Sequence, residues 1–119
     1  MSILPRVLPF SSSTRAGSLV FISGQGGLDP ATGRIVGPGL EEQTVCTMRN
    51  IERILQESNL NFSHVKKVNI YLTRREDYVA FNEIYARFFN EAYPARTTVY
   101  CDLNYDLLVE IDVIASIDG

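Results

Sequence analysis

Arg96 and Glu110 are the two residues of this chain whose side chains are best suited to do chemistry together. Arg96 stands in the apolar stretch "AYPARTTVYC", and Glu110 stands in the apolar stretch "LLVEIDVIASI". A guanidinium is a planar fork that suits a carboxylate ligand, and a nearby carboxylate positions a water or moves a proton. The pair predicts a site for a small acidic ligand. The alternative is a simple cross-strand ion pair, which contributes about 0.2–1 kcal/mol at an exposed site.

Alternation along the two stretches predicts where these side chains lie. Arg96 and Thr98 share one face of a strand, and the small or apolar residues between them share the other face, which is the expected core face. Glu110 lies on the mixed row of the last strand. A short turn joins the two strands, which favours antiparallel neighbours. We therefore expect Arg96 and Glu110 on one surface, away from the core.

The elements that position this pair follow from residue spacing. "SLVFISGQ" predicts a strand, and the turn residues of "LDPATGRIV" predict a hairpin to a second strand. Apolar residues at three- and four-residue spacing predict a helix from Glu41 to about Ser58, and "VKKVNIYL" predicts a strand. Asp77 is the expected cap of a second helix. The aromatic face of that helix, which predicts core packing, contains Tyr78, Phe81, Tyr85 and Phe88.

The resulting order, β-β-α-β-α-β-β, predicts an α+β sandwich with two helices on one face of a mixed sheet. The other sheet face is partly apolar, which is typical of a surface that meets another subunit. Ser23 and Gly24, at the end of "VFISGQ", are candidate hydrogen-bond donors for a ligand. The alternative is that they simply end a strand.

Composition excludes several classes of function. The 119 residues suit one domain, and a net charge of −3 disfavours a bulk electrostatic grip on nucleic acid. No apolar run approaches the roughly 20 residues of a membrane span, and "MSILPRVLPF" is not typical of a signal peptide.

Cys46 and Cys101 make no disulfide framework; we expect buried, reduced thiols and a cytosol-like compartment. A lone His64 predicts a surface or capping role and no metal site.

Four segments together resemble the Rid/YjgF family, also called the L-PSP or reactive intermediate deaminase family. They are "LVFISGQGGLDPATGRIV", "NIERILQESNL", "FNEIYARFFNEAYPARTTV" and "VEIDVIA", and the resemblance runs from about Pro9 to Ala115. It implies a chorismate-mutase-like fold and a homotrimer whose sheets form a central barrel, with ligand clefts between subunits. It also implies hydrolysis, without a cofactor, of 2-enamine and 2-imine acids to 2-keto acids and ammonia. Typical substrates resemble 2-aminoacrylate, 2-iminopropanoate and 2-iminobutanoate.

The resemblance also assigns roles by position. The family's substrate-carboxylate arginine falls on Arg96, and its acidic residue, which helps to place the attacking water, falls on Glu110. The serine and glycine that line the ligand fall on Ser23 and Gly24. A cytoplasmic location is expected, with an organelle such as the mitochondrion left open.

Two positions depart from the family's pattern. Thr98 stands where the family often has cysteine, and Phe10 stands where it usually has a tyrosine that lines the cleft. Thr98 is expected to act mainly through its backbone, whereas Phe10 lacks a hydroxyl at the reacting centre. Two alternatives therefore stay open: a non-catalytic module that binds small carboxylates in the same cleft, and an L-PSP-type endoribonuclease or translation inhibitor.

Overall fold

A computed structural model describes residues 8–90 and 92–119. These residues form five strands in one sheet, two α-helices and two short 3-10 helices, Phe62–His64 and Arg75–Asp77. The strands are β1 (Ser13–Ala16), β2 (Leu19–Gly26), β3 (Val65–Leu72), β4 (Ala95–Tyr100) and β5 (Val109–Ser116). The α-helices are α1 (Leu40–Glu57) and α2 (Tyr78–Ala86). The α+β class is confirmed, and α1, β3, β4 and β5 begin and end close to their predicted positions.

The sheet has the order β1-β2-β5-β3-β4, so β1 and β4 are its edges. β3 and β4 are parallel, and the other neighbours are antiparallel. The expected pairing of β4 with β5 is therefore wrong, because β3 lies between them. Helix α2 forms the crossover that a parallel β3–β4 pair requires. Residues 101–108 then carry the chain past β3, a span of about 10 Å across two strand spacings.

Both helices pack on one face of the sheet, as predicted. Met48, Ile51 and Leu55 of α1 and Phe81 of α2 are each at most 1% exposed. They meet one row of side chains from the central strands: Val20, Ile22, Val68, Ile70, Leu72, Val109, Ile111, Val113 and Ala115. The opposite row of β5 is only half-buried in the single chain. The core therefore lies on one side of the sheet and leaves the other side open.

The N-terminal hairpin does not lie where the sequence predicted it. β1 precedes β2 and turns into it through Gly17, whose φ of 59° favours glycine. The segment "LDPATGRIV" is a loop, in which the Asp29 carbonyl accepts the Gly33 N–H at 2.7 Å. Only one isolated bridge, between Leu28 and Ile35, pairs its two sides. The predicted turn is present, but the residues that follow it form too few hydrogen bonds to extend a strand.

Helix α2 also differs from its prediction at both ends. The carboxylate of Asp77 does not cap the helix but forms an ion pair with Arg74, at 2.9 Å between Nε and Oδ2. The helix ends at Ala86, so Phe88 follows it. Phe88 still packs against the core, with its ring centroid 5.7 Å from that of Phe62. The aromatic face is thus a core element even where the helix has ended.

Smaller predictions have mixed outcomes. His64 accepts the Asn61 N–H on Nδ1 at 3.1 Å, which confirms its capping role. Both cysteines are free, but Cys101 is exposed and Cys46 is half-buried, so the expectation of buried thiols is wrong for Cys101. Within the described residues, neither helix is both long enough and apolar enough to cross a membrane.

A buried amide on α1 holds the start of β5, which carries Glu110. Gln43 is 0% exposed; its Nε2 donates to the Gly37 carbonyl at 2.9 Å, and its Oε1 accepts the Leu108 N–H at 2.8 Å. Gln43→Met keeps the volume but removes both bonds. We expect it to lower the free energy of unfolding by about 1–3 kcal/mol, because polar backbone groups lose their partners.

Urea denaturation of Gln43→Met measures this loss, with Gln56→Met as the matched control. Gln56 is exposed on the same helix, so its replacement should change stability by less than about 0.5 kcal/mol. Equal stabilities for the two variants would contradict an anchoring role for Gln43.

Candidate functional site

Arg96 lies on the helix-covered side of the sheet. It is in register with Val68 of β3, which is 1% exposed and faces the helices. Its guanidinium carbon lies 5.1 Å from the ring centroid of Tyr85 and 5.6 Å from those of Tyr78 and Phe81. The prediction that Arg96 points away from the core is therefore wrong. The residues on the opposite row of β4, which were expected in the core, are exposed.

Two neutral oxygens hold the Arg96 guanidinium. Nη2 donates to Asn82 Oδ1 at 2.7 Å, and Nε donates to Thr98 Oγ1 at 3.1 Å. Thr98 thus acts through its side chain, not only through its backbone as expected. Across residues 8–90 and 92–119, no carboxylate forms an ion pair with Arg96. A permanent charge held by neutral acceptors on a partly exposed strand suits an external anion.

Glu110 lies on the open side of the sheet, beside a β-bulge in β2. Ile22 pairs with Val113 and Gln25 with Ile111, so β2 holds one extra residue between these pairs. A Cβ built on Gly24, inside this bulge, would overlap Glu110 Oε2. A larger residue at this position would therefore push the carboxylate out of its present place, and the predicted residues Gly24 and Glu110 do meet.

Ser23 and Phe10 belong to the same half of the molecule as Glu110. The Ser23 hydroxyl donates to the Ser11 carbonyl at 2.6 Å, and its N–H donates to the Ser12 carbonyl at 3.0 Å. These bonds hold the segment that follows Phe10 against the bulge. The Phe10 side chain is 63% exposed. The Ser23 hydroxyl therefore has a backbone partner in this structure, and the exposed Phe10 immediately precedes that partner in the chain.

The environment of Glu110 favours its protonated form. Burial raises the pKa of the Glu110 carboxyl above its ordinary value, and the negative charge of Asp112 raises it further. Asp112 itself accepts hydrogen bonds from Asn69 Nδ2 at 2.8 Å and from the Tyr71 hydroxyl at 3.0 Å. The bond to Asp112 in turn raises the pKa of Tyr71. The open face thus carries a carboxylate shifted toward the pH range in which proton transfer is useful.

The predicted site residues fall into two groups that do not meet within one chain. Ser23, Gly24 and Glu110 lie on the open face, whereas Arg96 and Thr98 lie under α2 at the β4 edge. β3 separates the two groups by about 10 Å across the sheet and about 10 Å along it. The expectation that Arg96 and Glu110 share one surface of a single chain is therefore wrong.

Asn82 is the contact that the sequence reasoning missed. It lies on α2 between the aromatic residues Phe81 and Tyr85, which were assigned to the core, and it was given no role. The helical period was the available signal, because Asn82 is four residues from Tyr78 and three from Tyr85. Residues at these spacings share one helix face. A polar Asn82 on an aromatic helix face therefore indicates that a polar partner lies beneath the helix, and Arg96 is that partner.

Comparison with known proteins identifies relatives over nearly the whole chain. The family model described as Endoribonuclease L-PSP matches residues 3–117. A RutC family protein of Pyrococcus horikoshii is 40% identical over 108 residues, which cover 90% of this chain and 86% of that protein. The Reactive Intermediate Deaminase A, chloroplastic, of Arabidopsis thaliana is 38% identical over 110 residues, covering 92% of this chain and 59% of that protein.

Solved structures give the same picture. RidA from the Antarctic bacterium Psychrobacter sp. superposes with a TM-score of 0.88 at 32% identity, covering 95% of this chain and 92% of that one. E. coli TdcF with bound serine superposes with a TM-score of 0.87 at 30% identity, covering 93% of this chain and 90% of that one. At these levels of identity and coverage, this chain shares both its fold and a recognisable sequence relationship with the two solved proteins.

The negative charge of Asp112 should influence the pKa of the Glu110 carboxyl. Carbon-13 NMR of the side-chain carboxyl should give Glu110 a pKa above the ordinary glutamate value of about 4.3. Asp112→Asn removes one negative charge and should lower this pKa, but not to the ordinary value, because burial is the larger cause. A Glu110 pKa that is identical in the wild type and in Asp112→Asn would contradict this coupling.

The same shift has a consequence for stability. Because the folded protein holds the Glu110 proton more tightly than the unfolded chain does, the contribution of Glu110 to the free energy of unfolding falls as the pH rises from about 4 through the raised pKa. Urea denaturation across this pH range should show a smaller fall in the free energy of unfolding for Asp112→Asn than for the wild type.

Proposed function

This chain belongs to the endoribonuclease L-PSP family, also called the Rid/YjgF family, and from that premise we propose that it hydrolyses reactive 2-imine and 2-enamine acids. The products are a 2-keto acid and ammonia. The proposed substrates are of the 2-aminoacrylate, 2-iminopropanoate or 2-iminobutanoate type. One relative, from Arabidopsis thaliana, is named a reactive intermediate deaminase.

The uncompensated charge of Arg96 carries this proposal. Its two described hydrogen-bond partners, Asn82 and Thr98, are neutral, so the guanidinium keeps its full charge for a ligand. A 2-imine acid offers a planar carboxylate, which matches a guanidinium fork in geometry and in charge. E. coli TdcF was solved with serine bound, and serine also carries a carboxylate. We therefore assign the substrate carboxylate to Arg96.

Glu110 supplies the proton chemistry of the proposal. A 2-enamine acid first takes a proton on its β-carbon and becomes the protonated imine. Water adds its oxygen to the carbon of this C=NH2+ group, the Glu110 carboxylate takes one proton of the water, and a neutral carbinolamine forms. Glu110 then returns this proton to the nitrogen, the C–N bond breaks with its electron pair on nitrogen, and the hydroxyl proton passes to the departing ammonia as the keto group forms. The raised pKa of Glu110 suits a group that must both accept and donate. Orientation and modest charge stabilisation suffice, since imines react readily with water.

The site requires a second copy of the chain. Arg96 and Glu110 lie on opposite faces of one sheet, so each half is proposed to meet the other half in a neighbouring subunit. β4 is an edge strand, and the open face exposes more than a third of each of the apolar side chains of Leu19, Phe21 and Val99. Covering an edge and an apolar face by a closed ring is a common solution. We propose a homotrimer with clefts between subunits.

Loss of Arg96 should abolish the activity. We expect Arg96→Ala to lower the rate of 2-keto acid release by at least about 100-fold, because the substrate carboxylate loses its charged partner. The assay couples the protein to a threonine dehydratase, which releases the 2-imine acid. Arg49→Ala is the matched control. Arg49 is exposed on α1 and pairs only with Glu52 among the described contacts to a carboxylate, so the rate should stay at the wild-type value.

Equal rates for the wild type and Arg96→Ala would end the deaminase proposal. Calorimetry with 2-ketobutyrate then decides between the remaining functions. Binding without turnover would establish the carboxylate-binding module, which the missing hydroxyl at Phe10 favours. An endoribonuclease role is the weaker alternative, because the net charge of −3 opposes RNA binding.

Intersubunit assembly makes a second, independent prediction. Arg96→Ala and Glu110→Gln are each expected to be inactive alone. When the two variants are unfolded together and refolded as an equal mixture, about a quarter of the clefts should combine an intact arginine with an intact glutamate from different chains. The recovered rate measures this fraction. No recovery would mean that both residues act from one chain.

The proposal includes a reducing, cytosol-like compartment. Cys46 and Cys101 are both free thiols in the described chain, and free thiols are typical of proteins in such compartments.

A further inference from the structure

We propose that Asn82 is a positioning residue that turns Arg96 so that its outer edge faces the ligand. The inference rests on the proposed role of Arg96 as the carboxylate-binding group. It adds a residue and a geometry that this role does not itself specify. The observation behind it is the pair of hydrogen bonds that hold the guanidinium from two different elements, α2 and β4.

A guanidinium offers two forks to an oxygen ligand. Nε and Nη2 form the lateral fork, and Nη1 and Nη2 form the outer fork. Arg74 shows the lateral fork in this same chain, where Nε and Nη2 both bind the Asp77 carboxylate at 2.9 and 3.1 Å. In Arg96 the same two nitrogens bind Thr98 and Asn82. Nε, which belongs only to the lateral fork, is thus engaged, whereas Nη1, which belongs only to the outer fork, has no partner among the described residues and faces a carboxylate in our proposal.

The aromatic rings around Arg96 do not determine this orientation alone. Tyr78, Phe81 and Tyr85 place their ring centroids 5.1–5.6 Å from the guanidinium carbon, which stabilises the charge. A cation–π contact attracts the charge to the ring and specifies little about rotation within the guanidinium plane. Hydrogen bonds are directional. Asn82 is therefore the contact from the helix that selects which edge points outward.

The neutrality of Asn82 is as important as its position. Oδ1 of an amide accepts a hydrogen bond and leaves the charge of Arg96 uncompensated. An aspartate at this position would accept the same bond, but its negative charge would compete with a ligand carboxylate. An amide at position 82 therefore holds the guanidinium in place and leaves its positive charge available to a ligand. Substitutions at position 82 can therefore test separately the effect of the hydrogen bond and the effect of a neutral side chain.

Three variants of the 119-residue chain test this inference. Asn82→Leu removes the acceptor, and Asn82→Asp keeps an acceptor but adds a charge. Ile84→Val is the matched control, because Ile84 is buried on the same helix and is 4% exposed. Nitrogen-15 NMR of the arginine side chain reports restricted rotation of the Arg96 guanidinium without any ligand. Calorimetry with 2-ketobutyrate gives the Kd.

We expect the two Asn82 variants to differ in the rotation of the guanidinium but to share a loss of binding. Asn82→Leu should free the rotation of the guanidinium and weaken 2-ketobutyrate binding by about tenfold, the loss of one charge-assisted hydrogen bond. Asn82→Asp should keep the rotation restricted and still weaken binding by tenfold or more. Ile84→Val should change neither property, although it lowers the melting temperature. If Asn82→Leu does not fold, Asn82→Ala replaces it and should behave in the same way.

The outcomes distinguish this inference from the proposed function. Restricted rotation in the variant that lacks the acceptor would overturn the positioning role of Asn82, whatever the protein catalyses. Wild-type binding by Asn82→Asp would overturn the requirement for a neutral partner. If the wild type binds no keto acid and deaminates no imine, the proposed function fails, while the rotation measurement still decides whether Asn82 holds Arg96.

Discussion

The parallel pairing of β4 with β3 at the edge of the sheet is the constraint on which the rest of this structure depends. It places β4 two strands from β5 and turns Arg96 toward α2. Glu110 remains on the opposite, open face, next to the bulge of β2. A sheet is a barrier that side chains do not cross, so one chain holds two incomplete halves of the proposed site. The proposed reaction therefore requires residues from two chains.

Helix α2 serves both the core and the site. Phe81 and Tyr85 are at most 3% exposed and pack in the hydrophobic core, yet both rings also face the Arg96 guanidinium. Burial raises the pKa of the Tyr85 hydroxyl to about 12, so the ring stays neutral beside the arginine at any working pH. An edge strand covered by an aromatic helix face can thus hold a permanent charge without a carboxylate among its described partners. The hydrogen bond from Arg96 to Asn82 additionally orients the guanidinium.

The open face solves a different problem. The bulge in β2 and the missing side chain of Gly24 make room for the Glu110 carboxylate. Asp112, two residues further along β5, engages Asn69 and Tyr71 and adds a negative charge beside Glu110. The positive and negative halves of the proposed site thus lie on separate surfaces and depend on different interactions. The positive half relies on aromatic rings and neutral acceptors, and the negative half on burial and a like charge.

The sequence by itself determined the types and most bounds of the elements, because the periods of two and of 3.6 residues reflect local backbone geometry. It also singled out Arg96, Glu110, Ser23 and Gly24, whose residue types limit what they can do. Only the tertiary structure decided the strand order, the side of the sheet that Arg96 faces, and the contact with Asn82. Alternation shows which residues share a face, but the parallel crossover through α2 decides which face the helices cover. A charged residue on the helix side was unexpected because an arginine beneath an aromatic face is stabilised by partners that are distant in sequence.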